Sequence, residues 1–208
     1  MHMGAVPPIG RVRNRRGEGE LLRADLLAAA SKLLDETGSE DALSLRAVTR
    51  AVGAAPQSIY LCFADKQALL WSVYADGWSR VATEMDRAAS DAGDEPATRL
   101  RALCRAYCEA AKAHPGRFRV LTGATGAAPP NWDSEQELPG ARVFSLFRAA
   151  VEKALPSEEP TLVATACLIA TLNGMLQLHL NRPLFPWPNL TVMTEFAVTR
   201  LIGTPSQK

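Results

Sequence analysis

The stretch that decides the fold is LSLRAVTRAVGAAPQSIYLCFADKQALL, residues 43–70. Ser44 is a preferred N-cap residue before a first short apolar-periodic helix, which Gly53 ends after about two turns. Pro56 suits the first turn of a second short helix, and Asp65 is a good cap for a much longer one. Two short helices joined by a tight glycine turn are typical of a helix-turn-helix. The second helix of that motif is short because it enters a DNA major groove about 12 Å wide.

The second short helix is predicted to have a buried face and a presented face. Ile59 and Phe63 stand four residues apart, so both should pack against the preceding helices. The opposite side then carries Pro56, Gln57, Tyr60 and Leu61. Leu61 has two interpretations at this stage, as an apolar contact to a base edge or as a packing residue.

The rest of the chain is also predicted to be helical, because apolar residues recur at intervals of three and four and no segment alternates as a strand would. The expected fold class is therefore all-α, with an N-terminal helix-turn-helix domain of three helices and a larger C-terminal helical domain. About nine helices are expected, at residues 21–37, 45–52, 56–62, 66–90, 96–114, 115–123, 138–155, 159–181 and 189–202.

The composition is that of an ordinary globular protein, with 208 residues, 47% of them hydrophobic, 22% charged, and a formal net charge of +1. The strongest local charge lies in residues 1–20, which we interpret as a flexible basic arm with glycines at positions 17 and 19. Such an arm either stays solvated or follows a DNA minor groove. Its arginines are Arg11, Arg13, Arg15 and Arg16.

No membrane or export signal is predicted. No run is expected to reach the ~18–20 apolar residues of a membrane span, and the N-terminus lacks the apolar core of a signal peptide. We therefore expect a cytoplasmic protein. The four cysteines, interpreted as buried and reduced, are Cys62, Cys104, Cys108 and Cys167.

An enzyme is not expected, because the three histidines have no catalytic or ligand spacing. No metal and no cofactor is predicted. Cys104, Cys108 and His114 can be drawn as a metal triad, but cysteines four residues apart on an apolar face are more often packing residues. Two alternatives stay open: a regulator that responds to oxidation of Cys104 and Cys108, and a helical protein that has lost DNA binding.

The segment quoted above resembles the DNA-binding part of TetR-family transcriptional regulators, over about residues 21–70. The resemblance implies an all-helical homodimer with a DNA-binding domain at 21–66 and a ligand-binding and dimerisation domain at 67–208. It rests on the hydroxyl cap at Ser44, Gly53 in the turn, the Ile59-Tyr60…Phe63 run, and Lys66 followed by Ala68-Leu69-Leu70.

The resemblance also implies roles for individual residues. It assigns Ser44 and Tyr60 to phosphate contacts, Lys66 to a phosphate at the start of the long helix, and Gln57 to base reading. Each residue type suits its role, because hydroxyl and ammonium groups bind phosphate oxygens and glutamine pairs with adenine in the major groove.

Three further residues are candidates for DNA contact, and two departures from the family pattern stand beside them. Arg46 is placed to reach a phosphate or a base, and Ala55 and Pro56 to touch a thymine methyl group. Ala55 stands where the family usually has a capping Ser or Thr, a loss of about 1 kcal/mol. Leu61 and Cys62 replace a pair that is usually polar or aromatic.

The C-terminal domain is interpreted as a sensor with a pocket between helices 66–90, 96–114, 138–155 and 159–181. We expect a small, largely apolar effector, because ligand pockets are mostly apolar with a few polar anchors. Plain core packing is the alternative for each candidate wall. The candidate walls are Trp78, Tyr107, Phe144, Phe147, Met175 and His179.

The last two helices are predicted to form a homodimer through a four-helix interface. A dimer would hold two reading heads about 34–36 Å apart, which matches successive major grooves of a palindromic operator in double-stranded DNA. The expected function is a repressor that the effector releases. The apolar faces are Leu162, Ala166, Ile169, Ala170, Leu172 and Leu176, together with Val192, Phe196, Val198 and Leu201.

The C-terminal part also resembles a TetR variety named for a Trp-His-Gly signature, through AHPGRFRVLTG (113–123) and CLIATLNGMLQLHL (167–180). Ile169 and Asn173 stand at the positions of its Trp and His, and Gly174 is retained. The resemblance is used for architecture, with Asn173 as a hydrogen-bonding residue and Gly174 as a site of close helix approach.

Overall fold

The computed structural model describes residues 18–123, 138–155 and 160–203. All regular structure in these residues is helical, which confirms the predicted fold class. The elements are α1 (Glu18–Thr37), α2 (Leu45–Ala51), a 3₁₀ helix (Pro56–Leu61), α3 (Lys66–Asp91), α4 (Pro96–Ala113), α5 (Pro115–Gly123), α6 (Ala141–Ala154), α7 (Thr161–Asn181) and α8 (Leu190–Ile202).

A first hydrophobic core holds the helix-turn-helix together. Leu26 of α1, Val48 of α2 and Ile59 of the 3₁₀ helix have no exposed surface. Val73 of α3 and Val120 of α5 close the same core from the other side. Because burial of each aliphatic side chain favours folding by about 1.5–3 kcal/mol, these contacts fix the position of the 3₁₀ helix.

A second, larger core lies among α3, α4, α6, α7 and α8. Tyr107, Phe118 and Phe147 are the largest side chains inside it, with 1%, 2% and 0% of their surfaces exposed, and Phe118 reaches it from α5. Leu100 of α4, Leu172 of α7 and Val198 of α8 surround them without exposed surface. This core occupies the region that the sequence predicts to be a sensor domain.

Helix α3 belongs to both cores. It is 26 residues long, about 40 Å at 1.5 Å per residue. Leu69 and Tyr74 pack in the first core and Met85 in the second, and the partly buried Trp78 packs against both. The two cores therefore meet along α3. The sequence predicts the domain boundary at residue 66, before this meeting point.

Two helix boundaries differ from the prediction by three residues, and the others by no more than two. Helix α1 begins at Glu18, so Gly19 lies in its first turn and is not part of a flexible stem. A glycine is tolerated there because the first turn makes few intrahelical hydrogen bonds. Helix α6 begins at Ala141 and not at residue 138, because Gly140 has a φ of 91° and ends a turn in the left-handed region.

Helix α7 corrects the prediction that no segment is apolar enough to cross a membrane. Thr161–Asn181 has the length and composition of a membrane-spanning helix, with a mean hydropathy of 1.6 over its most apolar stretch. Only 28% of that stretch is buried in the single chain. The helix packs on α6 and α8 along one side and leaves apolar side chains uncovered on the other.

Part of the predicted dimer face lies inside the single chain. Leu172, Leu176 and Val198 are fully buried because α7 and α8 pack against α4 and α6. Ile169 and Leu201 are half-buried. Exposed residues of α7 and α8 include Leu162, Val163, Ala166, Cys167, Ala170, Leu178, Val192 and Phe196.

Candidate nucleic-acid interface

Residues 56–61 form a 3₁₀ helix where the sequence predicts a short α-helix. The segment begins without a side-chain cap, because Ala55 precedes it. Ser58 Oγ donates a hydrogen bond of 2.7 Å back to the Ala55 carbonyl. This local bond tightens the first turn, and 3₁₀ geometry is common in helical pieces this short.

The 3₁₀ helix buries one side and presents the other, as predicted. Ile59 and Phe63 are 0% and 3% exposed, whereas Tyr60 and Leu61 are 61% and 73% exposed. The neighbouring Ala55, Pro56 and Gln57 are exposed too. Leu61 therefore does not pack in the described part of the chain.

The predicted caps on either side of this segment are formed. Ser44 Oγ accepts a hydrogen bond of 3.2 Å from the Ala47 N–H at the start of α2. The Asp65 carboxylate accepts one of 2.8 Å from the Ala68 N–H at the start of α3. Ser44 itself is exposed, and Lys66, the first residue of α3, is half-buried.

The seven residues predicted to contact DNA all have accessible side chains. Arg46 is exposed on α2, as are the other predicted residues apart from the half-buried Lys66. The basic arm, Arg11 to Arg16, lies outside the described residues. The accessible set is Ser44, Arg46, Ala55, Pro56, Gln57, Tyr60 and Lys66.

An unpredicted contact joins Arg23 of α1 to Phe63, which lies two residues after the 3₁₀ helix. The guanidinium carbon of Arg23 lies 4.5 Å from the centroid of the Phe63 ring, a cation–π arrangement. One guanidinium N–H donates to Ser72 Oγ on α3 over 3.3 Å. No local pattern marks this contact, because Arg23 and Phe63 lie forty residues apart.

A second unpredicted contact joins α1 to α5. The Asp35 carboxylate lies 3.0 Å from His114 Nδ1 and accepts a 3.0 Å hydrogen bond from the Arg117 N–H. A Cβ added at Gly116 would stand 2.1 Å from the Asp35 carbonyl oxygen, so α1 and α5 are in backbone contact there. This joint connects the helix-turn-helix to the larger domain.

An open crevice of about 220 Å³ lies beside this joint, between α3, α4 and α5. The predicted pocket walls do not line it. Its lining residues are Gly77, Arg80, Val81, Glu84, Ala110, His114, Arg117, Phe118 and Leu121.

Three of the predicted pocket walls come together as a packed aromatic cluster. Tyr107 stacks near Trp78 at 6.4 Å between ring centroids and meets Phe147 edge-on at 5.5 Å. The Tyr107 hydroxyl donates a 2.7 Å hydrogen bond to Asn173 Oδ1, and burial raises its pKa. In this state the cluster is part of the core, so a ligand would enter it only by separating these rings.

The three remaining predicted walls lie in different surroundings. Met175 is buried in the second core and Phe144 is half-buried. His179 lies near the end of α7, where its ring nitrogens are 2.9 Å from the Met175 carbonyl and 3.0 Å from the Pro188 carbonyl. These contacts tie His179 to the connection between α7 and α8.

The cysteine prediction holds for two of the four thiols. Cys104 and Cys108 are buried, and burial raises the pKa of both, which disfavours the reactive thiolate. Cys167 is exposed and Cys62 is half-buried, so both depart from the prediction. Among the described residues, no group of three or more His, Cys, Asp or Glu side chains could hold a metal ion.

Two family models match the chain, one over most of the helix-turn-helix region and one over most of the larger domain. Residues 26–73 match the model described as bacterial regulatory proteins, tetR family. Residues 100–201 match the model described as Tetracyclin repressor-like, C-terminal domain. The chain belongs to the TetR family. Members of this family are transcriptional regulators that bind DNA as dimers and bind small-molecule effectors.

Curated relatives of this TetR-family chain are regulators. It is 27% identical over 199 residues to the HTH-type transcriptional repressor KstR of Mycolicibacterium smegmatis, which covers 96% of this chain and 93% of KstR. It is 30% identical over 115 residues to the HTH-type transcriptional regulator Rv1816 of Mycobacterium tuberculosis. That match covers 55% of this chain and spans about half, 49%, of Rv1816.

Solved structures share the fold. A protein of unknown function from Rhodococcus sp. RHA1 superposes with a TM-score of 0.74 at 26% identity, over 87% of this chain and 93% of that one. The TetR-family regulator PfmR from Thermus thermophilus superposes with a TM-score of 0.60 at 20% identity, over 86% and 98%. The family resemblance seen in residues 21–70 is thus confirmed, and the finer Trp-His-Gly resemblance stays a prediction.

Proposed function

We propose that this TetR-family regulator is a repressor that binds a palindromic operator as a homodimer and is released by a small, largely apolar effector. The observation that carries the DNA-binding part is the orientation of the 3₁₀ helix. Two buried anchors, Ile59 and Phe63, hold it, while Tyr60 and Leu61 project from it. We place its action in the cytoplasm.

The proposed DNA contacts divide into positioning and reading. Ser44, Tyr60 and Lys66 bind phosphates, since Ser44 and Tyr60 carry hydroxyls and Lys66 carries an ammonium at the first residue of α3. Gln57 reads a base edge from the exposed start of the 3₁₀ helix. Arg46 adds a phosphate or base contact.

Apolar contacts complete the proposed reading surface. Ala55 and Pro56 are exposed just before and at the first residue of the 3₁₀ helix. Neither side chain can donate a hydrogen bond, so we assign both to the methyl group of a thymine, the apolar group that a base presents in the major groove.

The proposed dimer forms through the uncovered side of α7 and α8. Leu162 and Val163 are 61% and 58% exposed on α7, and Val192 and Phe196 are each 63% exposed on α8. A helix that is apolar on two sides is stable when both are covered, one by its own chain and one by a partner. A second copy with the same face supplies that cover in an isologous four-helix interface.

The effector is proposed to act on the larger domain and to reach the 3₁₀ helix through α3 and α5. Helix α3 spans both cores, and α5 touches α1 at Asp35 while its Phe118 packs edge-on against Tyr107 at 5.4 Å. A ligand that separates the rings between α3, α4, α6 and α7 would therefore move both connections. It must favour the released arrangement by a few kcal/mol to act as a switch.

The test begins with selection of binding sites from random duplex DNA by the purified protein. We expect a palindrome with two half-sites about one helical turn apart. The Tyr60→Phe and Lys66→Ala variants should bind it more weakly, and Lys66→Ala should also reduce the dependence of affinity on salt concentration. The matched control is Lys112→Ala, which removes an exposed lysine of α4 that pairs with Glu109 and should leave affinity unchanged.

Two results would contradict the proposal. If no sequence is enriched at low salt, the chain does not work by reading DNA. If an effector that binds the larger domain changes operator affinity by less than about twofold, the release mechanism is wrong even though DNA binding stands.

A further inference from the structure

We propose that Leu61 contributes to operator specificity by contacting the C5 methyl group of a thymine in each half-site. This inference rests on the proposed DNA-binding function and adds a base-reading residue to it. Leu61 is 73% exposed at the last position of the 3₁₀ helix.

The direction of the Leu61 side chain is set by its neighbours. Ile59 and Phe63, two positions before and after it, are buried in the first core. The Arg23 guanidinium lies over the Phe63 ring at 4.5 Å and holds that anchor in place. With both anchors fixed, the backbone between them has little freedom to turn Leu61 inward.

The 3₁₀ geometry separates the presented residues into a polar and an apolar side. Side chains three residues apart eclipse one another in a 3₁₀ helix, so Gln57 shares a side with Tyr60 and Ser58 shares one with Leu61. The Ser58 hydroxyl donates to the Ala55 carbonyl and its proton is committed there. Leu61 is therefore the group on its side that is left to meet a base.

The chemistry of the DNA major groove indicates which group Leu61 contacts. Among the base edges in the major groove, thymine alone presents an apolar group, and the remaining edges present hydrogen-bond donors and acceptors. A single exposed leucine is ordinary on a protein surface. At the end of a segment held into the groove, beside Tyr60, it would strip water from a polar base edge without replacing the hydrogen bonds, whereas contact with a methyl group removes two apolar surfaces from water.

The experiment uses the operator recovered by selection and replaces each thymine singly by deoxyuridine, which removes the methyl group and keeps the hydrogen-bonding pattern. At the position that Leu61 contacts in each half-site, which is distinct from the one assigned to Ala55 and Pro56, the wild-type protein should lose affinity about three- to fivefold, the value expected for one buried methyl group. Leu61→Ala should bind the thymine operator more weakly by a similar factor and should no longer distinguish deoxyuridine at that position. Its melting temperature should match that of the wild type, since the side chain is exposed.

Tyr60→Phe is the control variant. It should weaken binding through the loss of a phosphate contact and still distinguish thymine from deoxyuridine. If no replacement apart from the one assigned to Ala55 and Pro56 weakens the wild type, or if Leu61→Ala keeps the full distinction at every position, the inference is wrong and the DNA-binding function remains. If the wild type binds no duplex, both fail together.

Discussion

The side-chain carboxylate of Asp35, near the end of α1, accepts a hydrogen bond of 3.0 Å from the backbone N–H of Arg117, the third residue of α5. The first N–H groups of a helix have no partner within that helix, so Asp35 caps α5 from another part of the chain. The same carboxylate faces His114 Nδ1 at 3.0 Å. One side chain thus joins the helix-turn-helix to the larger domain.

Replacing Asp35 by Ala should lower the free energy of unfolding by about 1.5–3 kcal/mol, the value typical of hydrogen bonds to a charged group. Asp35→Asn keeps an acceptor oxygen and should lose less. Urea unfolding at neutral pH measures both variants. Glu36→Ala, which removes an exposed carboxylate in the next position, is the control and should change stability by less than about 0.5 kcal/mol. Equal losses for Asp35→Ala and Glu36→Ala would contradict the cap.

Replacing Gly116 by Ala should destabilise the protein by about 1–3 kcal/mol or more, because its Cβ would stand 2.1 Å from the Asp35 carbonyl oxygen. The obstacle is backbone and cannot rotate away. Gly123→Ala, at the last position of the same helix, meets nothing within 4 Å and serves as the control. A thermal melt in which the two variants behave alike would show that α1 and α5 do not meet as described.

Replacing Phe196 by Glu should convert the dimer into monomers, because it places a charge in the proposed interface at a side chain that is 63% exposed in the single chain. Sedimentation equilibrium measures the association directly. Leu21→Glu makes the same kind of change at an exposed leucine of α1 and should leave association unchanged. If the Phe196→Glu variant still forms a dimer, the interface does not lie on α7 and α8.

Stability should fall in alkaline solution because burial raises the pKa of the Tyr74 and Tyr107 hydroxyls and of the Cys104 and Cys108 thiols. The unfolded chain releases these protons near the ordinary values, about 8.5 for thiols and 10 for tyrosines, while the folded chain retains them. The unfolded state therefore binds fewer protons, and the free energy of unfolding decreases as pH rises through about 8.5 and more steeply above about 10.

The Tyr107→Phe variant tests how much this tyrosine contributes to the loss of stability at alkaline pH. Above pH of about 10 its stability should decline less steeply than that of the wild type, by up to about 1.4 kcal/mol per pH unit. At neutral pH it should cost about 1 kcal/mol through the lost hydrogen bond to Asn173. Tyr60→Phe, at an exposed tyrosine, should not change stability at neutral pH. Urea midpoints across this pH range that coincide for Tyr107→Phe and the wild type would contradict the burial argument.

Much of the structure could be predicted from rules that act over a few neighbouring residues. The caps at Ser44 and Asp65 and the division between Ile59 and Tyr60 were all predictable, because capping and helical spacing act over three or four residues. Capping and helical spacing gave wrong predictions where two local conformations, or two starting points of a helix, are close in energy. The segment at residues 56–61 became a 3₁₀ helix after an uncapped Ala55, and α1 began three residues earlier than expected.

The sequence by itself determined an all-helical chain with a short presented helix, since periodicity, caps and glycine turns specify each element locally. Only the tertiary structure decided what depends on distant residues: the contact of Arg23 with Phe63, the cap from Asp35 to α5, and the enclosure of Tyr107 in an aromatic cluster. It also decided which apolar side of α7 is covered. Helix α7 is apolar on more than one side, so its sequence does not show which side the chain buries. The packing of α4, α6 and α8 against α7 determines the buried side.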